Sequence, residues 1–182
     1  MRFVVALAVC IGLGACRKAA PLPIASSTKS LADSADQVIW GSTTIITDRG
    51  LQRASIASDT AFMFDDNTRI EMRVVRGIFF SSSGAKDAIL LSRQGLYNTR
   101  LSILEARGDV ELKSIDGRTL NTPFLRYDQR ISQISSESSF VVRDADGKET
   151  RGIGFKSDPD MQNISVTRHI STKAGKVQLP EQ

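Results

Sequence analysis

The sequence predicts an all-β fold: an open β-jellyroll built of repeated two-strand units of about 31 residues, with an N-terminal signal peptide and tether. Three observations predict it. Apolar and polar residues alternate with period two through most of the chain after residue 37. Turn signals recur at nearly even spacing, with SSSG, SIDG, DADG and TKAG closing at Gly84, Gly117, Gly147 and Gly175. No helical period competes with this pattern beyond residue 37.

Residues 1–15 read as a lipoprotein signal peptide. Arg2 supplies the positive start, and Phe3 to Leu13 form an apolar run too short to span a bilayer as a helix. Leu13-Gly14-Ala15-Cys16 has the form of a lipobox, which makes Cys16 the expected lipidation site. The alternative is a plain secretory signal cleaved after Ala15. Two acyl chains give a stable anchor, which a chain without a span needs. Residues 16–36, with Pro21, Pro23 and five Ser or Thr residues, form a lipidated flexible tether.

The folded domain is expected over residues 37–172, with a loose tail at 173–182. Val38–Thr47 is β-branched and apolar, an entry strand turned by Asp48-Arg49-Gly50. In the first unit, Ile56, Phe62 and Phe64 share one parity. After the Asp65–Asn67 turn, Ile70, Met72, Val74, Ile78 and Phe80 are assigned to one dry face. The second unit carries Ile89 to Leu91, then Leu101, Ile103 and Leu104, with a bulge expected where apolar residues adjoin.

The third unit is the plainest. Val110 and Leu112 alternate with charged residues, Asp116-Gly117 turns the chain, and Leu120, Leu125 and Tyr127 return. Pro123 cannot donate to a ladder, so it marks an edge or a bulge. Phe140 and Val142 follow a serine-heavy run, Ser135 to Ser139, expected to be less buried. The fourth unit contributes Ile153 and Phe155, then Ile164, Val166 and Ile170.

Composition excludes several functions. With 41% hydrophobic and 24% charged residues, the chain has the balance of one ordinary globular domain. The net charge of +4 falls to about +3 without residues 1–15, where Arg2 is the only charge, too mild a balance for a nucleic-acid partner. Cys10 and Cys16 are the only cysteines, so the folded part holds neither a disulfide framework nor a cysteine metal site. His169 is the only histidine, and no Gly-rich phosphate loop leads into a helix. The pairs Asp65/Asp66, Asp144/Asp146 and Asp158/Asp160 serve turns. No catalytic residue, metal or cofactor is expected. Arg69, Arg73 and Arg76 read as a solvated strand face, with an anionic headgroup as the alternative neighbour.

Four stretches carry a family resemblance: TDRGLQRASIASDTAFMF, LEARGDVELKSIDGRTLNTPFLRYD, QISSESSFVV and RGIGFKSDPDMQNI. Taken in order and spacing, they resemble the LptC family of periplasmic lipopolysaccharide-export proteins, whose OstA-like β-jellyroll is shared with LptA. The resemblance implies a domain that shelters lipid A acyl chains in a jellyroll groove. It implies delivery of lipopolysaccharide from an inner-membrane ABC transporter to an LptA-like periplasmic jellyroll, by edge-to-edge strand addition. The groove candidates are Ile70, Met72, Val74, Ile78, Phe80, Val110, Leu112, Leu120, Phe140 and Val142, and the docking candidates on the last edge are Ile164, Val166 and Ile170.

The expected location is the periplasmic face of the inner membrane, held there by the lipid anchor. Many members of the family carry an N-terminal transmembrane helix instead. Here Arg17 follows Cys16, where Asp is the usual inner-membrane retention signal. An envelope adaptor that joins complexes by sheet-edge pairing without holding lipid is the alternative function. A jellyroll glycoside hydrolase would need two carboxylates across a cleft, and no spacing supplies them.

Overall fold

The computed structural model describes residues 30–174. Residues 1–29, with the expected signal peptide, Cys10, Cys16 and most of the expected tether, lie outside them, as do residues 175–182 with the expected Gly175 turn. One helical turn, α1 (Leu31–Ser34), precedes nine strands. These are β1 (Gln37–Asp48), β2 (Leu51–Phe64), β3 (Arg69–Phe80), β4 (Lys86–Asn98), β5 (Ile103–Ser114), β6 (Thr119–Asp128), β7 (Gln133–Arg143), β8 (Glu149–Ser157) and β9 (Ser165–Lys173). They form one antiparallel meander in sequence order, so among the described residues β1 and β9 are its two edges. The all-β open jellyroll is the fold, and each pair of strands is one repeat.

The strands turn where the sequence marks them. Gly50, Gly84, Gly117 and Gly147 all have positive φ in the turns at one end of the sheet. Asp65–Asn67, with φ of 55, 53 and 64°, make the β2–β3 turn at the other end.

Every interior strand also bends at its middle. In the β1–β2 pair, Trp40 faces Thr60 and Ser42 faces Ser58, leaving Gly41 and Asp59 at the bend. The line continues through Val74 and Arg93, where Arg73 faces Gln94 and Val75 faces Ser92. It crosses Gly108-Asp109 on β5, Pro123 on β6, Glu137-Ser138 on β7 and Gly154 on β8. Gly41, Gly108 and Gly154 take φ of 64, 75 and 73° there, and Val74 and Asp109 take 51 and 46°. Pro123 is therefore at a bulge on an interior strand, where its missing N–H does no harm.

A bend frees backbone groups that the ladder would otherwise pair. Hydroxyls beside the line take them up. Ser92 Oγ donates to Gln94 O at 3.0 Å, and Thr122 Oγ1 lies 3.0 Å from Phe124 O and 2.9 Å from Ser139 O. Ser138 N donates to Ser136 Oγ at 3.1 Å. Ser58, Ser92, Thr122 and Ser136 are all buried. The serine-heavy β7 was expected to be less buried, but Ile134, Ser136, Phe140 and Val142 are all interior. Its serines mark the bend.

The bend folds the sheet onto itself. A flat strand of twelve residues would span about 40 Å from turn to turn. Yet Phe79, beside the β3–β4 turn, meets Tyr127, beside the β6–β7 turn, with ring centroids 4.8 Å apart. The first half-sheet presents Ala54, Ile56, Phe79, Leu90, Leu112 and Leu120 inward. The second presents Met72, Leu104, Ala106, Leu125, Tyr127 and Ile134. Together they form one continuous apolar core.

Candidate functional site

The interior between the half-sheets is where the sequence-predicted groove residues can be tested for position. Ile70 and Met72 on β3, Val110 and Leu112 on β5, Leu120 on β6, and Phe140 and Val142 on β7 are all buried there and share that core. Phe140 packs edge-on against Phe155, with centroids 5.2 Å apart. The other three candidates lie elsewhere. Val74 sits at the bend itself, 60% exposed. Beyond it the inward face passes to Val75, Gly77 and Phe79, so Ile78 and Phe80 point outward and are half-buried. One residue in a left-handed conformation displaces the period-two pattern, and assignment by parity fails past that point. The same bend on β2 sends Phe62 outward, where the Arg73 guanidinium lies 6.0 Å from its ring.

The docking candidates do not share a face. Ile164, just before β9, and Val166 are partly buried against the core. Ile170 is exposed on the outer side. At the opposite edge, Trp40 on β1 is 76% exposed, and the sequence reading did not single it out. Arg69, Arg73 and Arg76 do lie along one outer strand face. Arg69 pairs with Glu71 and Asp65 and covers the Phe64 ring at 3.9 Å.

Two polar straps join the half-sheets at their turns, and the sequence reading missed both. In the first, Arg118 of the β5–β6 turn donates to the Met161 carbonyl at 2.6 Å and to Gln162 Oε1 at 3.1 Å. Gln162 Nε2 returns a bond to Asp116 Oδ2 at 2.9 Å. Met161 belongs to the β8–β9 connection, has φ 59°, and puts its side chain into the core at 1% exposure. It plugs the interior from a turn. An apolar residue inside DPDMQN was the available signal.

In the second strap, Gln129 Nε2 donates to Thr47 O at 2.7 Å, and Tyr97 OH donates to Gln129 Oε1 at 3.3 Å. Burial pushes the Tyr97 and Tyr127 hydroxyls up, so both stay neutral donors.

Acids hold the Met161 turn in shape. Burial opposes the charge on Asp158, but hydrogen bonds outweigh it and bring the carboxyl down to about 2. Its oxygens accept from Gln162 N at 2.9 Å and from Asn163 Nδ2 at 2.7 Å. Asp160 and Asp87 are pushed up, first by burial and then by the neighbouring Asp158. On Asp116, bonds from Ser114 and then the Arg118 backbone outweigh a burial penalty and lower the carboxyl.

Among the described residues there is no group of three or more His, Cys, Asp and Glu side chains placed to hold a metal. No described helix is long and apolar enough to cross a membrane. The arrangement buries an apolar core between two sheet halves whose turns are tied by polar contacts.

These features define a class, the single-sheet β-jellyrolls with an apolar interior. The family model described as "Lipopolysaccharide-assembly, LptC-related" matches residues 3–174, nearly the whole chain, and the protein belongs to that family. No curated protein matches the sequence. The family is transport-associated and non-catalytic, and it places this chain in lipopolysaccharide transport at the cell envelope.

Proposed function

We propose that the protein shelters the acyl chains of lipopolysaccharide between its two half-sheets during passage across the periplasm. One observation carries the reading: Met161, a buried member of the apolar interior, is borne on a turn that Arg118 holds by hydrogen bonds. In this account the β8–β9 turn swings away, the half-sheets part, and acyl chains take the place of Met161. The inner positions Ile70, Met72, Val110, Leu112, Leu120, Phe140 and Val142 then line the groove.

The cost of exposing acyl chains is large beside that of releasing the strap and Met161. Three strap hydrogen bonds contribute about 1–2 kcal/mol each, and burying one Met about 2 kcal/mol. Each methylene kept out of water is worth about 0.8 kcal/mol, so leaving two chains of about ten methylenes unsheltered in the periplasm would cost roughly 16 kcal/mol.

The rest of the pathway follows from the resemblance. Cys16 carries the lipid anchor on the periplasmic face of the inner membrane, and residues 16–36 tether the domain. The inner-membrane ABC transporter delivers to the β1 edge, and an LptA-like jellyroll receives at the β9 edge through strand addition. Among the described residues β1 and β9 each have a neighbouring strand on one side only, which supports strand addition at both ends.

The test is binding of the purified full chain to lipid A and to its deacylated sugar phosphate backbone. Far tighter retention of lipid A than of the deacylated backbone is expected, because only lipid A has chains for the interior. Equal retention of the deacylated form would remove the interior from the account and leave an adaptor that recognises lipopolysaccharide by its headgroup or not at all.

A further inference from the structure

The outer face of the second half-sheet carries a feature that acyl-chain shelter does not use. Where β5 to β9 cross the bend, their outward residues surround a cleft of about 890 Å³. Its charges are Glu105, Arg107, Arg126, Glu137, Lys156 and Arg168. Glu105 and Arg107 neutralise each other at 2.6 Å. Among the described residues, Arg126, Lys156 and Arg168 make no ion pair within 4.0 Å. Asp128, two residues along from Arg126, is already held by Arg130 at 2.8 Å. Three cations against Glu137 leave an excess of two positive charges.

The geometry is that of a tweezer. Arg126 faces Ser135 across β6–β7, and Ser135 faces Lys156 across β7–β8. Strand spacing of about 4.8 Å sets the two cations about 10 Å apart at their roots, with a hydroxyl between them. Their long side chains can close on an oxyanion from both sides. Arg168 approaches from β9, facing Ile153. Phe124, with the Arg107 guanidinium 5.5 Å from its ring, and Ile153 supply an apolar wall.

We propose that this outer cleft is a binding site for a phosphate group carried on an organic ligand. A carboxylate would neutralise one of the two excess charges, whereas a phosphate monoester carries about −1.5 to −2 and matches the pair. The apolar wall takes the group to which the phosphate is attached. The phosphate can come from a lipid headgroup or from a free phosphorylated metabolite.

Calorimetric titration of the full chain in nonionic detergent separates these sources, with inorganic phosphate and short-chain phosphatidic acid as probes and a phosphocholine lipid as the control. Saturable, salt-sensitive binding of a phosphate probe is expected, weakened about tenfold by Arg126→Gln or by Lys156→Gln. Arg76→Gln, on the outer face of the first half-sheet, is expected to leave it unchanged. Binding of inorganic phosphate without phosphatidic acid assigns the site to a free phosphorylated metabolite, and preference for phosphatidic acid assigns it to a headgroup. No saturable binding of either probe, or equal affinity when Arg126→Gln and Lys156→Gln are combined, with an unchanged circular dichroism spectrum, overturns the proposal. Because the site lies outside the core, its failure leaves the lipid A retention result untouched.

Discussion

Phe79 and Tyr127 meet edge to face, their ring centroids 4.8 Å apart at 66°. They belong to opposite half-sheets, so this contact exists only because the sheet bends along the line from Gly41 to Gly154. Phe79→Ala is expected to cost about 3–5 kcal/mol, the range for truncating a buried Phe. Phe80→Ala, one residue along and outward, is expected to cost about 1 kcal/mol or less. Urea unfolding of both variants checks the pair. Equal losses would mean that β3 does not change face at Val74.

Val74 is a β-branched residue at φ 51° whose side chain is 60% exposed. The conformation costs about 1–3 kcal/mol, and exposure means that little packing offsets it. Val74→Gly removes the strain at a smaller entropic cost. A gain of about 1 kcal/mol in unfolding free energy is expected. A loss of that size would show that Val74 makes a contact outweighing its backbone strain.

Arg118→Ala removes two of the three bonds in the Met161 strap. Global stability is expected to fall by only about 1–3 kcal/mol. The local effect is larger: faster amide exchange at Gln162 and Asn163, and earlier proteolysis between Asp158 and Asn163. In the proposed function the same variant takes up lipid A faster. Unchanged exchange at these amides would mean that the turn is held by its own acids and not by Arg118.

The Asp158 carboxyl has a folded value of about 2 against an ordinary 3.8. A depressed acid stabilises the fold fully above its unfolded value and loses that contribution as pH falls through the folded one. The stability difference between the protein and Asp158→Asn is therefore expected to be constant above pH ~4 and to shrink between pH ~4 and ~2. Thermal melts of both across that range measure it. A gap that widens on acidification would reverse the sign and place the stabilising proton on Asp158 itself.

Strands and turns were legible because they are written in periods. Val110, Leu112 and Leu120 show two-residue alternation, and Gly84, Gly117 and Gly147 stand where positive φ is required. The bend was not legible, because it needs only one or two residues per strand to break the register and falls at Gly41, Asp59, Val74 or Arg93 alike. Pro123 announced it, beside the bulge expected in the second unit. Parity carried across the bend put Val74, Ile78 and Phe80 on the wrong face, while β5 and β7, whose bends add residues without changing parity, kept Val110, Leu112, Phe140 and Val142 on the right one. The straps were hidden for another reason: Arg118 and Met161 lie 43 positions apart, and nothing local to either predicts the contact.

The most direct measurement of lipid shelter is photo-crosslinking in living cells, with a benzophenone amino acid at Leu112, at Phe140 or at Phe80. Protease resistance of each variant confirms that it has folded. The account predicts lipopolysaccharide adducts at Leu112 and Phe140, which face the interior, and none at Phe80, which faces out. Adducts at Phe80 alone, or protein adducts only, would contradict it and leave the interior as a packed core with no cargo.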